Sequence, residues 1–300
     1  MSSNPDETIR KGIDDLPADL EEPPISQEDK KEKKLAIVEI FGPTIQGEGP
    51  HAGMKTMFIR FGGCDYRCVK CDSLHAVLPT AVRAHARYMT PDEIIDELVE
   101  KRGNSGTHWV VFSGGNPCMW DLNRLISYVH GAGFGIAVET QGTILPDWLI
   151  RCQQVTISPK SPGMGEKFEP DKYVAMITRL YDAGTPFATK VVVFSALDIE
   201  FAVEVWNIMN TVVPINLEPF MMLSLGNPYP PIITQEGVLR ENPSLTGESK
   251  LDDHSDRDHR LILLDNYRQL LEEYVQDPRI HHMRFLPQLH VLAWGNETGR

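Results

Sequence analysis

The sequence predicts an α/β fold, an open partial barrel of about six parallel strands with helices outside. Short β-rich runs and helical patterns alternate from Leu35 onward, polar motifs recur just after strands, and too few strand–helix units exist for a closed eightfold barrel.

The strands are expected at LAIVEIF (35–41), MFIRF (57–61), HWVVF (108–112), FGIAVE (134–139), QVTIS (154–158), FATKVVVF (187–194), INLEPF (215–220) and HHMRFL (281–286). A Gly-rich loop joins the first two. TPDEIIDELVEK (90–101) reads as a helix with Thr90 at the N-cap, Pro91 as its first residue and Glu93 as the capping-box partner. Further helical patterns cover 119–130, 170–182, 197–211 and about 258–276.

Two segments interrupt this rhythm. Residues 1–34 hold sixteen charged residues, with Pro17, Pro23 and Pro24 breaking a weak helical spacing of Ile9, Ile13, Leu16 and Leu20. Such a segment buries too little apolar surface to fold, so a disordered charged tail is expected, followed by one domain over 35–300. Within it, residues 224–257 carry Pro228, Pro230, Pro231, Pro243 and three glycines, the composition of a lid, an insertion or disorder.

The formal net charge is −13, which disfavours nucleic acid as a partner and favours a small substrate. No run of 18 apolar residues exists and the chain starts with polar and charged residues, so neither a membrane span nor a secretory signal is expected, and the expected compartment is the cytoplasm.

Three of the five cysteines fall in FGGCDYRCVKCDS (61–73), as Cys64-x3-Cys68-x2-Cys71 after a strand and two glycines. In a reducing compartment such a cluster reads as a metal or redox site. Zinc sites pair two Cys-x2-Cys units or add two histidines, and no second pair is present; His75 is too near in sequence. A four-iron cluster normally takes four cysteines, so three leave one iron open to a substrate or cofactor. A structural zinc or buried-thiol cluster is the alternative. Cys118 and Cys152 read as small core residues.

The cluster is accompanied by EIFGPTIQGEG (39–49), SGGNP (113–117), ETQGT (139–143) and SPK (158–160), each placed at the C-terminal end of a strand, the shared mouth of a barrel-like sheet. The three-cysteine spacing is the signature of radical S-adenosylmethionine enzymes. With TIQGEG, the continuation into CDS, SGGNP and LPQLHVLAWGN (286–296), the chain resembles the 7-carboxy-7-deazaguanine synthase family, of the deazapurine pathway leading to queuosine, from about Leu35 to its end.

This resemblance implies a [4Fe-4S] cluster on Cys64, Cys68 and Cys71, with S-adenosylmethionine chelating the open iron. Its reductive cleavage yields a radical that takes a hydrogen from C6 of 6-carboxy-5,6,7,8-tetrahydropterin, which contracts to 7-carboxy-7-deazaguanine as ammonia leaves. Ile45, Gln46, Gly47, Arg60, Ser113 and His290 match substrate contacts. Arg60 is suited to the C6 carboxylate. Gly115, Glu139, Ser158, Pro159 and Lys160 match cofactor contacts, and Ser73 a Mg²⁺ ligand. On the residues alone, Ser73 reads as a loop serine bonding its own backbone, and Glu139 equally as a structural strand-end residue. Asn116 departs from the commoner Gly-Gly-Glu-Pro motif by losing a charge. A homodimer is implied by the family only.

Arg60, Arg67 and Lys70 flank the cysteines, either as a docking patch for an acidic electron donor such as flavodoxin or ferredoxin, or as solvated loop cations. Two other functions share these features: an activating enzyme acting on a protein, which needs an open groove, and a non-catalytic iron–sulfur sensor, which needs no substrate pocket.

Overall fold

In the computed structural model the described residues are 33–214, 220–227, 230, 232–233, 239–240, 259–295, 297 and 299. The tail expected over 1–34, apart from its last two residues, and most of the insertion expected over 224–257 lie outside them.

The strands are β1 (Leu35–Ile45), β2 (Lys55–Phe61), β3 (Arg87–Met89), β4 (Trp109–Gly114), β5 (Gly135–Thr140), β6 (Gln154–Ile157), β7 (Phe187–Val193), β8 (Phe220–Leu225), β9 (Ile232–Ile233), β10 (Leu239–Arg240) and β11 (Met283–Leu286). Nine of them form one open sheet in the order β11-β8-β7-β6-β5-β4-β2-β1-β3, and β9 and β10 form a separate antiparallel ribbon. From β2 to β11 every pairing is parallel, the partial-barrel arrangement that alternating strands and helices predict.

The first strand departs from the expectation. β1 pairs antiparallel with β2, and β3 antiparallel with β1. Its connection to β2 spans only residues 46–54, too short for the crossover that a parallel pair requires. The TIQGEG motif is therefore the turn of a hairpin and does not sit at the same sheet edge as the other motifs. Of the eighth strand expected over 215–220, residues 215–219 lie outside the described residues. A strand is described at Phe220–Leu225, where apolar Met221, Leu223 and Leu225 alternate with Met222 and Ser224. Ser224 and Leu225 thus belong to the sheet and not to the insertion.

The helices are α1 (Leu74–Val77), α2 (Pro79–His85), α3 (Pro91–Arg102), α4 (Asn123–Gly131), α5 (Pro170–Asp182), α6 (Ala196–Asn210), α7 (His259–Tyr274) and α8 (Leu289–Trp294). The α3 cap is as the sequence predicts: Thr90 Oγ1 accepts from Glu93 N at 3.3 Å, and Glu93 Oε2 accepts from Thr90 N at 2.7 Å. The short α1, α2 and α8 were not expected.

Period-2 alternation divides the sheet's two faces. Met57, Ile59, Phe61, Val110, Phe112, Ile136, Val138, Val155, Ile157, Val191, Val193, Met221 and Leu223 pack into one core with helix residues such as Ile94, Leu125, Met176 and Val205. The intervening residues face the other way. Phe58, Val111 and Ala137 form a small apolar patch there with Phe41, and the polar residues beyond it define the site. Among the described residues no helix is long and apolar enough to cross a membrane.

Candidate functional site

On the face opposite the helices, β2 contributes Arg60, β4 Ser113, β5 Glu139, β7 Lys190 and β8 Ser224, and Ser158 directly follows β6. Arg60 stands beside Ser113 in register, and Glu139 beside Thr156. With the cysteine loop and the hairpin turn they surround a cavity of about 230 Å³. Ile45, Gln46, Gly47, Arg60, Cys64, Cys68, Cys71, Ser73, Ser113, Gly115, Glu139, Ser158, Lys160 and His290 line it, and Pro159 does not.

The cysteine loop continues the end of β2. Gly115 N donates to Phe61 O at 3.0 Å and Asn116 N to Gly63 O at 2.8 Å, so the end of β4 stays zipped to the loop's root. A Cβ on Gly115 would lie 2.0 Å from Gly63 O, and one on Gly114 2.1 Å from Phe61 O. Only glycine permits that approach. The Gly115 amide is thus engaged within the protein.

Tyr66 N and Ser73 N donate to Cys64 Sγ and Cys71 Sγ, each at 3.4 Å. Burial is the largest influence on all three thiols and pushes them up, Cys68 to about 11 and Cys71 to about 12, against the opposing charge of Lys160. A bound cationic centre reverses this balance and takes the sulfurs as thiolates. Cys118 and Cys152 are buried in the helix-side core, as expected, leaving three sulfurs at the cavity. Among the described residues no three His, Cys, Asp or Glu side chains converge tightly enough for a single ion. Three cysteine thiols from one short loop, all lining the cavity, are the donor set of a four-iron cluster that leaves one iron open.

Asn116 has a structural partner for each end of its amide. Nδ2 donates to Asp65 Oδ1 at 2.9 Å, while Oδ1 accepts from Cys118 N at 3.2 Å and Thr140 Oγ1 at 3.0 Å. Gln141 Nε2 and Thr143 Oγ1 also donate to Asp65. The carboxylate next to Cys64 is therefore held by three neutral donors from the ends of β4 and β5. A glutamate at 116 would set two anions together, which accounts for the amide in SGGNP.

The hairpin turn folds back under the sheet. Its ends close through Gln46 N to Met54 O at 2.8 Å and Gly53 N to Gln46 O at 2.7 Å. Gln46 Nε2 donates to Glu139 Oε1 at 3.0 Å. A Cβ on Gly47 would meet His290 Nδ1 at 1.9 Å, and Leu289 N donates to Gly47 O at 3.0 Å, so the start of α8 lies directly on the turn.

Glu48, buried beneath, accepts from Lys190 Nζ at 2.7 Å, Ser224 Oγ at 2.8 Å and Gln288 Nε2 at 3.1 Å. Burial alone would raise the Glu48 carboxyl, but the charges of Lys190 and His290 and these hydrogen bonds outweigh it and hold it down at about 2. Lys190, which burial alone would lower, is raised by Glu48 and Glu139. Glu48, Lys190 and Gln288 were absent from the expected site. A lone lysine inside the apolar run FATKVVVF was the available signal.

Arg60 is turned into the cavity, its side chain 18% exposed. Nε donates to Glu39 Oε1 at 2.6 Å and Nη1 to Ser73 Oγ at 3.2 Å; Ser73 Oγ in turn donates to Asp72 Oδ1 at 3.0 Å. Burial would raise Glu39, and the hydrogen bond from His75 with the charge of Arg60 lowers it below the usual carboxylate range. The three-cation docking patch is therefore not formed as expected. Arg60 faces inward, Lys70 sits 4.0 Å over the Phe194 ring and lines the cavity, and Arg67 is exposed.

Residues 58–194 match the Radical SAM superfamily. The chain is 37% identical over 267 residues to the 7-carboxy-7-deazaguanine synthase of Bacillus cereus, covering 89% of this chain and 99% of that protein. It is 35% identical over 270 residues to the enzyme of the same name from Bacillus subtilis, with 89% and 99% covered. The crystal structure of QueE from Escherichia coli superposes with a TM-score of 0.55 at 20% identity, covering 86% of this chain and 95% of that one, and shares the fold. On these identities over 89% of its length, the chain belongs to the 7-carboxy-7-deazaguanine synthase family of radical S-adenosylmethionine enzymes.

Proposed function

We propose that the chain converts 6-carboxy-5,6,7,8-tetrahydropterin to 7-carboxy-7-deazaguanine and ammonia, a ring contraction without net oxidation, en route to queuosine-type deazapurines. The observation that carries this reading is that Arg60 hydrogen-bonds Ser73, two residues after Cys71, inside a cavity lined by charged and polar side chains. A carboxylate paired with Arg60 brings the carbon bearing it next to the cysteine loop.

When bound, the [4Fe-4S] cluster on Cys64, Cys68 and Cys71 and S-adenosylmethionine supply radical hydrogen abstraction. The chain's own residues orient and shield. Glu39 fixes the Arg60 guanidinium through Nε, leaving its outer edge for the C6 carboxylate. Ile45, Gln46, Gly47, Ser113 and His290 surround the rest of the substrate. Gly115, Glu139, Ser158 and Lys160 face the cofactor, with Lys160 Nζ steadied by Ser158 Oγ at 3.1 Å; Pro159 serves by shaping that turn. Ser73 Oγ, beside Asp72, offers an oxygen to Mg²⁺. A protein substrate would need an open groove, whereas Glu48–Lys190 and Gly47–His290 close the floor.

The electron donor is proposed to be a flavodoxin- or ferredoxin-like protein docking near Arg67, and the enzyme a cytoplasmic homodimer acting on neither nucleic acid nor membrane. The proposed domain comprises residues 35–300. The test is an anaerobic assay of the reconstituted protein with S-adenosylmethionine, reductant, Mg²⁺ and the pterin. Mass-spectrometric detection of 7-carboxy-7-deazaguanine, abolished by Cys68→Ala, supports the reading; 5′-deoxyadenosine without the deazapurine removes the substrate assignment.

A further inference from the structure

The network under the hairpin turn ends on an atom that no described residue satisfies. Gln288 is 3% exposed and lines the cavity. Its Nε2 is committed to Glu48 Oε1 at 3.1 Å, and its Oε1 is buried with no hydrogen-bond partner among the described residues. Glu48 is an ionised, acceptor-only carboxylate, so a flipped amide would set oxygen against oxygen. Gln288 Oε1 is consequently a fixed acceptor. A buried acceptor left unpaired is costly, and one facing a ligand cavity is satisfied by a ligand donor.

Its position identifies the donor. Arg60 lies on β2 and Gln288 directly after β11, toward opposite ends of the parallel run β2-β4-β5-β6-β7-β8-β11, yet both line one cavity. A pterin whose C6 carboxylate meets Arg60 extends its other ring away from it. The far edge of that ring is the 2-amino and N3–H pair, both N–H donors. That placement of the far edge rests on the substrate proposed above.

We propose that Gln288 Oε1 accepts a hydrogen bond from the 2-amino group on this edge of the substrate, making Gln288 a specificity-determining residue. Glu48, its carboxylate engaged by Lys190, Ser224 and Gln288, acts as a positioning residue that orients this amide.

The test is anaerobic calorimetric binding, with S-adenosylmethionine present and no reductant, of the natural pterin and of its analogue with the 2-amino group replaced by hydrogen. Wild-type protein is expected to bind the analogue about 10- to 100-fold more weakly, the loss of one buried hydrogen bond. In Gln288→Met, which keeps the volume, the natural pterin weakens similarly, discrimination between the two ligands falls to about twofold or less, and S-adenosylmethionine affinity is unchanged. A purely structural role for Gln288 would weaken both ligands equally and preserve their ratio, overturning the proposal. Equal wild-type affinity for the two ligands overturns it without any variant. Absence of pterin binding by the wild type removes the functional reading itself, and this inference with it.

Discussion

Glu48 and Lys190, 142 residues apart in sequence, meet at 2.7 Å with both side chains nearly inaccessible to solvent. One comes from the hairpin turn and the other from the middle of the parallel sheet, so this pair pins TIQGEG beneath the site. Lys190→Met strands a buried carboxylate and is expected to cost about 3–5 kcal/mol of stability. Urea unfolding of the full chain measures it, and an unchanged midpoint would mean the turn is held by other contacts.

The same pair sets an acid dependence. The Glu48 carboxyl is held at about 2 in the folded chain against an ordinary value of 4.5. Its stabilisation is therefore fully present above about pH 4.5 and is lost as pH falls toward 2. Glu48→Gln is expected to flatten the stability profile in that acid window.

Asn116 gives a test by charge. Asn116→Asp keeps shape but turns the donor at 2.9 Å from Asp65 Oδ1 into a second anion. A loss of about 1–3 kcal/mol at pH 7 is expected. The new carboxyl titrates above its ordinary value in the folded state, so the penalty is full above that raised value, is relieved as pH falls through it, and is gone by the unfolded value of about 4. Thermal denaturation at pH 7 and pH 4 separates this from a shape effect.

Two glycines predict different outcomes. The Gly115 Cβ would strike backbone, Gly63 O at 2.0 Å, so Gly115→Ala is expected to displace the cysteine loop and lower iron bound per chain after reconstitution. The Gly47 Cβ would strike the His290 ring, a side chain able to swing aside. Gly47→Ala is expected to retain iron and raise the pterin KM about tenfold, with little further effect of His290→Ala in that background.

The sequence revealed the sheet well because buried parallel strands leave apolar runs between helical patterns. It misplaced β1 because strand direction is not a property of the run itself; only the nine-residue span to β2 carries it. The site residues lying next to cysteines or glycines, such as Arg60, Ser73 and Ser113, were legible from their motifs. Lys190, Gln288 and the Asp65–Asn116 contact were not. Their partners are 51 to 240 residues away, and no local spacing encodes such pairings.

The central claim is that Arg60 presents the substrate's C6 to the cysteine-loop end of the cavity. The most direct measurement is turnover of pterin deuterated at C6, with 5′-deoxyadenosine analysed by mass spectrometry. Deuterium in the 5′-deoxyadenosine, with turnover reduced about 10- to 100-fold in Arg60→Lys through loss of the guanidinium fork, is the predicted result. Formation of the deazapurine with no deuterium in 5′-deoxyadenosine would contradict it.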